Sequence, residues 1–188
     1  DNLARARLCE PYCHSVVFHD ALWDGASPEA IHNILYQKMY SHLFSMAQYL
    51  SSNGARWITA GSTNMTELQT AWYGMNSDLM VDIMPLKNCD KAMVFELAEY
   101  AGVPDEILDL EPNGDLPSGE TDAEFFGLES WKELVNFGWM IEAAIDTDTV
   151  EAMLHQLADA YPKAATHLKA NRRKIEFYKV FRNYNILG

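Results

Sequence analysis

The sequence predicts an α/β protein built on a parallel sheet, and three observations carry that expectation. Two short runs rich in β-branched and aromatic residues, SVVFH at 15–19 and ARWITAG at 55–61, read as buried strands. Between and after them, apolar residues recur at helical spacing. A hydrophobic content of 48% with 12% aromatic residues suits a packed globular core. Strand–helix alternation puts helices on the faces of a parallel sheet.

The elements follow in order. After the run at 15–19, Ser27 is the expected N-cap of a helix with Pro28 in its first turn. Ile31, Ile34, Leu35, Met39, Leu43, Met46, Ala47 and Leu50 recur at helical spacing, with Met39, Met46 and the tyrosines of the segment read as core or packing residues, and Gly54 stops it. The run at 55–61 ends on Gly61 and opens into the polar turn Ser62-Thr63-Asn64, with one or two helical turns over 65–72. Residues 81–85 (VDIMP) are a loop or short extended segment. A helix over 90–102 is indicated by Val94, Leu97, Ala98 and Ala101 and closed by Gly102 and Pro104. Residues 112–119 form a turn-rich loop long enough for a flap. Two further helices cover 130–144 and 148–161, and the basic stretch 167–185 ends the chain. Trp131, Phe137, Trp139 and Met140 read as core. At 188 residues, 1–188 is expected to form a single domain.

Charge excludes some functions. With 27 acidic and 14 basic residues the net charge is −13, which disfavours nucleic acid and anionic membrane surfaces. A phosphate-bearing ligand would need a few local cations, backbone amides or a metal ion. No run of about 18 apolar residues is present, so no membrane span is expected. Cys9, Cys13 and Cys89, with His14 and His19, complete no zinc spacing and no disulfide framework. The expectation is a soluble cytoplasmic protein.

Several polar residues invite chemistry. A turn such as 61–64 after a strand is where parallel α/β folds bind ligands, since glycine permits close backbone approach and hydroxyls can hold phosphate or sugar; it equally serves as a plain helix cap. Glu67 offers a carboxylate to a hard cation such as Mg²⁺, or is a solvated acid. Asp78 and Asp82, four apart, suit acid–base work or metal binding, or cap turns. Lys91 opens a helix, where the dipole disfavours a cation. A ligand phosphate or plain exposure would each account for it.

The order of these residues resembles the NAD synthetase family. That family shows G-T-x-N-x-[ST]-E, then G-D, D-x-x-P, and a lysine before a helix ending L-A-x-x-x-G-x-P. Here stand Gly61, Ser62, Asn64, Thr66, Glu67, Asp78, Asp82, Pro85, Lys91, Leu97, Ala98, Gly102 and Pro104. Residues 112–127 (PNGDLPSGETDAEFFG) follow the second block, P-S-A-x-L-x-x-G-Q-T-D-E-x-x-[LF]-G. The resemblance covers roughly 55–135.

It implies a Rossmann-like, adenine nucleotide α-hydrolase-type sandwich with a parallel sheet, incomplete at its N-terminus. It further implies ATP- and Mg²⁺-dependent amidation of deamido-NAD by ammonia through an acyl-adenylate. Lys91 and Asp78 would be catalytic, Lys91 on ATP phosphate and Asp78 beside deamido-NAD. Ser62, Asn64, Asp82, Asn113, Thr121 and Asp122 would bind ATP and deamido-NAD, with the loop 116–122 closing over them. Glu67 would hold Mg²⁺. A homodimer or a complementing chain is implied as partner.

The departures are specific. The family's phosphate loop S-G-G-x-D-S is absent from the 188 residues, and is expected upstream in the gene or on a second chain. Met75 stands where the family carries lysine, and Leu79-Met80 where it carries glycines. The helix that bears arginines in the family reads 33–39 here, with Lys38 its cation, and His167, Lys169, Arg172 and Arg173 loosely replace a tail H-K-R. The alternatives are a degenerate relative that binds or regulates without catalysis, and an adenylating enzyme for another carboxylate.

Overall fold

The computed structural model describes residues 28–52, 54–114 and 119–183. The strand expected at 15–19, the cap Ser27, Cys9, Cys13, His14, His19 and part of the 112–119 loop lie outside the described residues. Nine helices are described: α1 Pro28–Ser51, α2 Met65–Gln69, α3 Lys91–Tyr100, α4 Asp105–Leu108, α5 Asp122–Phe126, α6 Trp131–Asp146, α7 Val150–Ala160, α8 Pro162–Ala170 and α9 Arg172–Phe181.

The core is helical. In α6, Leu134, Phe137, Ile141 and Ile145 recur every three or four residues and are buried, while the Ser130 hydroxyl accepts the Glu133 amide and starts the helix. Against this stripe pack Leu68 of α2, Phe126 of α5, Leu154 and Leu157 of α7, Leu168 of α8 and Ile175 and Tyr178 of α9. The helix α5 is short but fixed at both ends. Thr121 and Glu124 form a reciprocal capping box, and Gly127 closes it at φ 72°, a left-handed conformation that suits glycine.

Between the helices, the expected strand at 55–61 is reduced to one parallel bridge, Ala60 to Ile83, among the described residues. The Gly61 amide donates to the Ile83 carbonyl at 2.9 Å and the Ile83 amide to the Thr59 carbonyl at 3.1 Å. Trp57 and Ile58 stay exposed, so the run is not buried as its composition suggested.

Two further core expectations are corrected. In α1, Met39, Leu43 and Met46 are exposed, and Ala47 and Lys38 are the buried residues among its described side chains. The α3 stripe, expected only as a helix, buries no residue, and Leu97 and the capping Ala101 are exposed. A periodic stripe predicts a helix but not the surface that covers it. Likewise Phe137 is core, whereas Trp139 and Met140 are nearly half exposed.

A cavity lined by carboxylates, lysines and aromatic rings

The helix α2 begins at a tightly bonded cap. Asn64 Oδ1 accepts the Glu67 amide at 3.1 Å, Glu67 Oε2 accepts the Asn64 amide at 3.2 Å, and Asn64 Nδ2 donates to Glu67 Oε1 at 2.7 Å. This capping box fixes the Glu67 side chain at the mouth of a cavity of about 500 Å³. The α3 N-terminus docks beside it, the Lys91 amide donating to Thr66 Oγ1 at 3.0 Å and Asp90 capping the Met93 amide.

Lys91 thereby faces α5. Its Nζ lies 2.6 Å from Asp122 Oδ2 and 3.9 Å from Glu67 Oε1. Asp122 is only 2% exposed and also accepts the Trp72 indole N–H at 3.2 Å. A lysine at a helix start is thus stabilised by two carboxylates from other elements, which neither the dipole nor exposure explained. Glu67 is pushed up to about 7, chiefly by burial, with Lys91 and the Asn64 amide opposing and Asp122 and Asp78 reinforcing.

The opposite wall is a turn. Ala71 takes φ 58°, unusual for a residue with a Cβ, and sends Trp72, Tyr73 and Gly74 along the cavity. Asp78 Oδ2 accepts the Gly74 amide at 2.6 Å. A Cβ at 74 would stand 2.0 Å from Ser77 Oγ, so any side chain there must turn the Ser77 hydroxyl aside. From α1, Tyr36 and Tyr40 reach the same cavity, and Tyr40 is bonded to the Asp78 carboxylate. Burial, then Asp78, raises the Tyr40 phenol.

The C-terminal helices complete the cavity with His167, Asn171 and Lys174. His167 Nε2 bonds the Thr70 carbonyl at 3.2 Å and is enclosed by the rings of Trp72, Phe125 and Phe126 at centroid distances of 5.7, 5.3 and 5.0 Å. Burial, then the Lys174 charge, lowers it to about 4, so it is neutral at pH 7. The carbonyl partner fixes the tautomer that carries its proton on Nε2.

Ser62, Glu67, Asp78, Lys91, Asn113 and Asp122, all singled out in the sequence, line this cavity. Three others lie elsewhere. Asn64 is committed to the α2 cap, and Thr121 to the α5 cap. Asp82 Oδ2 holds the Thr59 amide and hydroxyl at 2.7 and 2.8 Å in an exposed turn, and this lowers its pKa. Tyr36, Tyr40, Trp72, Tyr73, Asn171 and Lys174 were not foreseen as lining; the basic stretch that holds Lys174 was the available signal, since a phosphate ligand needs local cations.

No group of three or more His, Cys, Asp or Glu suited to a metal ion occurs among the described residues. A Mg²⁺ ion shared with ligand phosphates and water needs only one or two protein carboxylates; each oxygen of Glu67 accepts a hydrogen bond from Asn64 and keeps a further lone pair. No helix among the described residues is long and apolar enough to cross a membrane.

Residues 19–178 match the family model described as NAD synthase. The chain is 32% identical over 104 residues to the NH(3)-dependent NAD(+) synthetase of Mannheimia succiniciproducens, covering 55% of this chain and 41% of that one. It is 29% identical over 165 residues to the enzyme of the same name from Thermotoga neapolitana, covering 88% and 52%. The chain therefore spans about half the length of the curated relatives it matches. A solved structure, that of NMN synthetase from Francisella tularensis, superposes with a TM-score of 0.55 at 23% identity, covering 87% of this chain and 56% of that one, which shows a shared fold.

Proposed function

Since the chain belongs to the NAD synthase family, we propose that its cavity serves ATP-dependent amidation of deamido-NAD by ammonia. The observation that supports this reading is the convergence of Ser62, Glu67, Asp78, Lys91, Asn113 and Asp122, from separate elements, on one cavity. In the proposed reaction the nicotinate carboxylate attacks the α-phosphorus of ATP and pyrophosphate leaves. Ammonia then adds to the acyl carbon of the adenylate, AMP departs with the bond electrons, and the ammonium proton passes to solvent.

The chain's own groups bind and orient. Lys91, held by Asp122, presents its charge where phosphate oxygens develop negative charge. Asp78, held by Gly74 and Tyr40, faces the dinucleotide with one wall of the turn. Glu67 is the residue that would hold Mg²⁺, which when bound neutralises phosphate charge. Ser62 and Asn113 line the cavity as hydrogen-bonding partners for nucleotide. The parallel sheet, the phosphate loop, and a second copy or complementing chain to complete the site belong to this same proposal.

Full-length protein should release pyrophosphate from ATP only when deamido-NAD, Mg²⁺ and ammonia are all present. Glu67→Gln keeps an acceptor for the Asn64 cap and should abolish Mg²⁺-dependent turnover while the melting temperature holds. Turnover unchanged in that variant would remove Glu67 from the site. Absence of turnover in the full-length wild type, with nucleotide still bound, would favour a binding or regulatory relative, the reading supported by Met75 and Leu79-Met80. A nicotinate mononucleotide arm tests the other carboxylate.

A further inference from the structure

Apart from Lys91, the helix α3 takes no part in the cavity lining, and it buries none of its ten residues. Its inner side is held by the Phe95 ring, stacked on Trp131 at a centroid distance of 4.5 Å, and by the Lys91 amide on Thr66. The opposite side carries Met93, Leu97 and Tyr100, spaced four and three apart and so in one row. All three are exposed, Tyr100 at 92%. Asp90 heads the same row and accepts the Trp139 indole N–H at 3.2 Å, a ring itself nearly half exposed. Packed beside α3, the short α4 and the turn after it leave Ile107 and Leu110 exposed as well. Single apolar residues on a surface are ordinary, but a row across two adjoining elements marks an interaction face. A helix of ten residues is also too short to stand on its own, and an uncovered outer face adds nothing to it.

The charge around this row has one sign. No lysine, arginine or histidine stands anywhere from 92 to 131. Glu96, Glu99, Asp105, Glu106, Asp109 and Glu111 are all exposed, and none is in an ion pair among the described residues. Nucleic acid and anionic membranes are repelled by such a surface. A second copy of the chain has no complementary strip to offer. Its Lys163, Arg172, Lys179 and Arg182 already pair with its own carboxylates, as Lys91 does with Asp122. Among the described residues, the exposed cations outside such pairs are Arg56, Lys132, Lys169 and Arg173, on four separate segments. An apolar row rimmed with unpaired carboxylates fits a different protein, apolar along its centre and basic at its edges.

We propose that the outer face of α3 and α4 is the docking surface for a partner protein that presents an apolar segment flanked by lysines and arginines. Leu97 and its neighbours take the apolar centre, and the six carboxylates meet the basic edges. The face is not part of the cavity, so its partner is independent of what the cavity binds.

Photo-crosslinking in the cells that make the protein tests it, with Tyr100 of the full chain replaced by benzoyl-phenylalanine. The expected product is an adduct to another protein, mapped by mass spectrometry to a segment with lysine or arginine beside apolar residues. The triple variant Glu96→Lys, Glu99→Lys, Asp109→Lys puts cations near helix C-termini, where the dipole favours them, and should stay folded yet lose the adduct. The mapped segment, made as a labelled peptide, should bind purified wild type, and bind the triple variant on the order of 10- to 100-fold more weakly. Added salt should weaken binding to the wild type as well. An adduct only to a second copy, to residues 1–27 of the same chain, or to a segment without basic residues overturns the proposal. So does an equal adduct yield from the triple variant, a peptide that binds both proteins alike, or no adduct at all. Should the triple variant fail to fold, Leu110→Ser decides in its place. It should weaken peptide binding about tenfold through lost apolar contact, and unchanged affinity overturns the proposal.

Discussion

Lys91 and Asp122 show how one pair can serve both stability and the site. Asp122 is almost wholly enclosed, so removing its cation leaves a buried charge whose side-chain partner among the described residues is the Trp72 indole. Lys91→Met should therefore cost about 3–5 kcal/mol in urea unfolding. The double variant Lys91→Met with Asp122→Asn should recover a good part of that loss. If the double is as unstable as the single, the pair is not what the lysine stabilises. His167 makes a second, pH-dependent contribution. Its pKa falls from the usual 6.5 to about 4 in the folded chain, so the unfolded chain binds the proton more readily. The stability it contributes is present above about pH 6.5 and is lost as pH falls through 4. His167→Gln, which keeps a donor for the Thr70 carbonyl, should flatten the decline in melting temperature over that interval. Glu67 acts with the opposite sign. Its pKa rises from 4.5 to about 7, so its contribution is present below pH 4.5 and is lost as pH rises through 7.

At the scale of elements, α2 is too short to hold itself, and its contact with α6 fixes it. Gln69 is fully buried, donates to Glu142 Oε2 at 3.3 Å, and leaves its Oε1 without a partner among the described residues. Glu142 also accepts the Tyr178 hydroxyl at 2.7 Å and pairs with Arg182, which ties α6 to α9. Gly138 leaves room for the Gln69 side chain, since a Cβ there would stand 2.5 Å from Gln69 Oε1. Gly138→Ala should destabilise by about 1–3 kcal/mol as overpacking, read as a lower urea midpoint with unchanged slope. Because α2 carries Glu67, the same change should weaken Mg²⁺-dependent turnover. The helix α6 itself was legible in sequence, since Leu134, Phe137, Ile141 and Ile145 and the cap Ser130 are local signals. The stripes of α1 and α3 were equally legible as helices, but their burial was not. Whether a face is covered depends on elements far away in the chain.

Across the whole molecule, burial is uneven. The helices α6 to α9, with α2 and α5, share one core, while the described side chains of α1 are mostly exposed or half-buried. Peptides of α1 should therefore lose amide protection well before those of α6 and α8 in native-state hydrogen exchange. Equal protection would show that α1 belongs to the same cooperative unit. The consequence reaches the site, because Tyr36 and Tyr40 enter the cavity from α1.

By itself the sequence determined the helices whose caps and periods are local, the family, and six residues that line the cavity. Those residues stand in two ordered blocks between 62 and 122, and their order needs no knowledge of the fold. The tertiary structure decided what pairs with what. Lys91 meets Asp122 from 31 positions away, Tyr73 donates to the Lys174 carbonyl from 101 away, and Asp82 turns aside to hold Thr59. Charge, burial and tautomer at the cavity depend on such distant partners, and no local pattern records them.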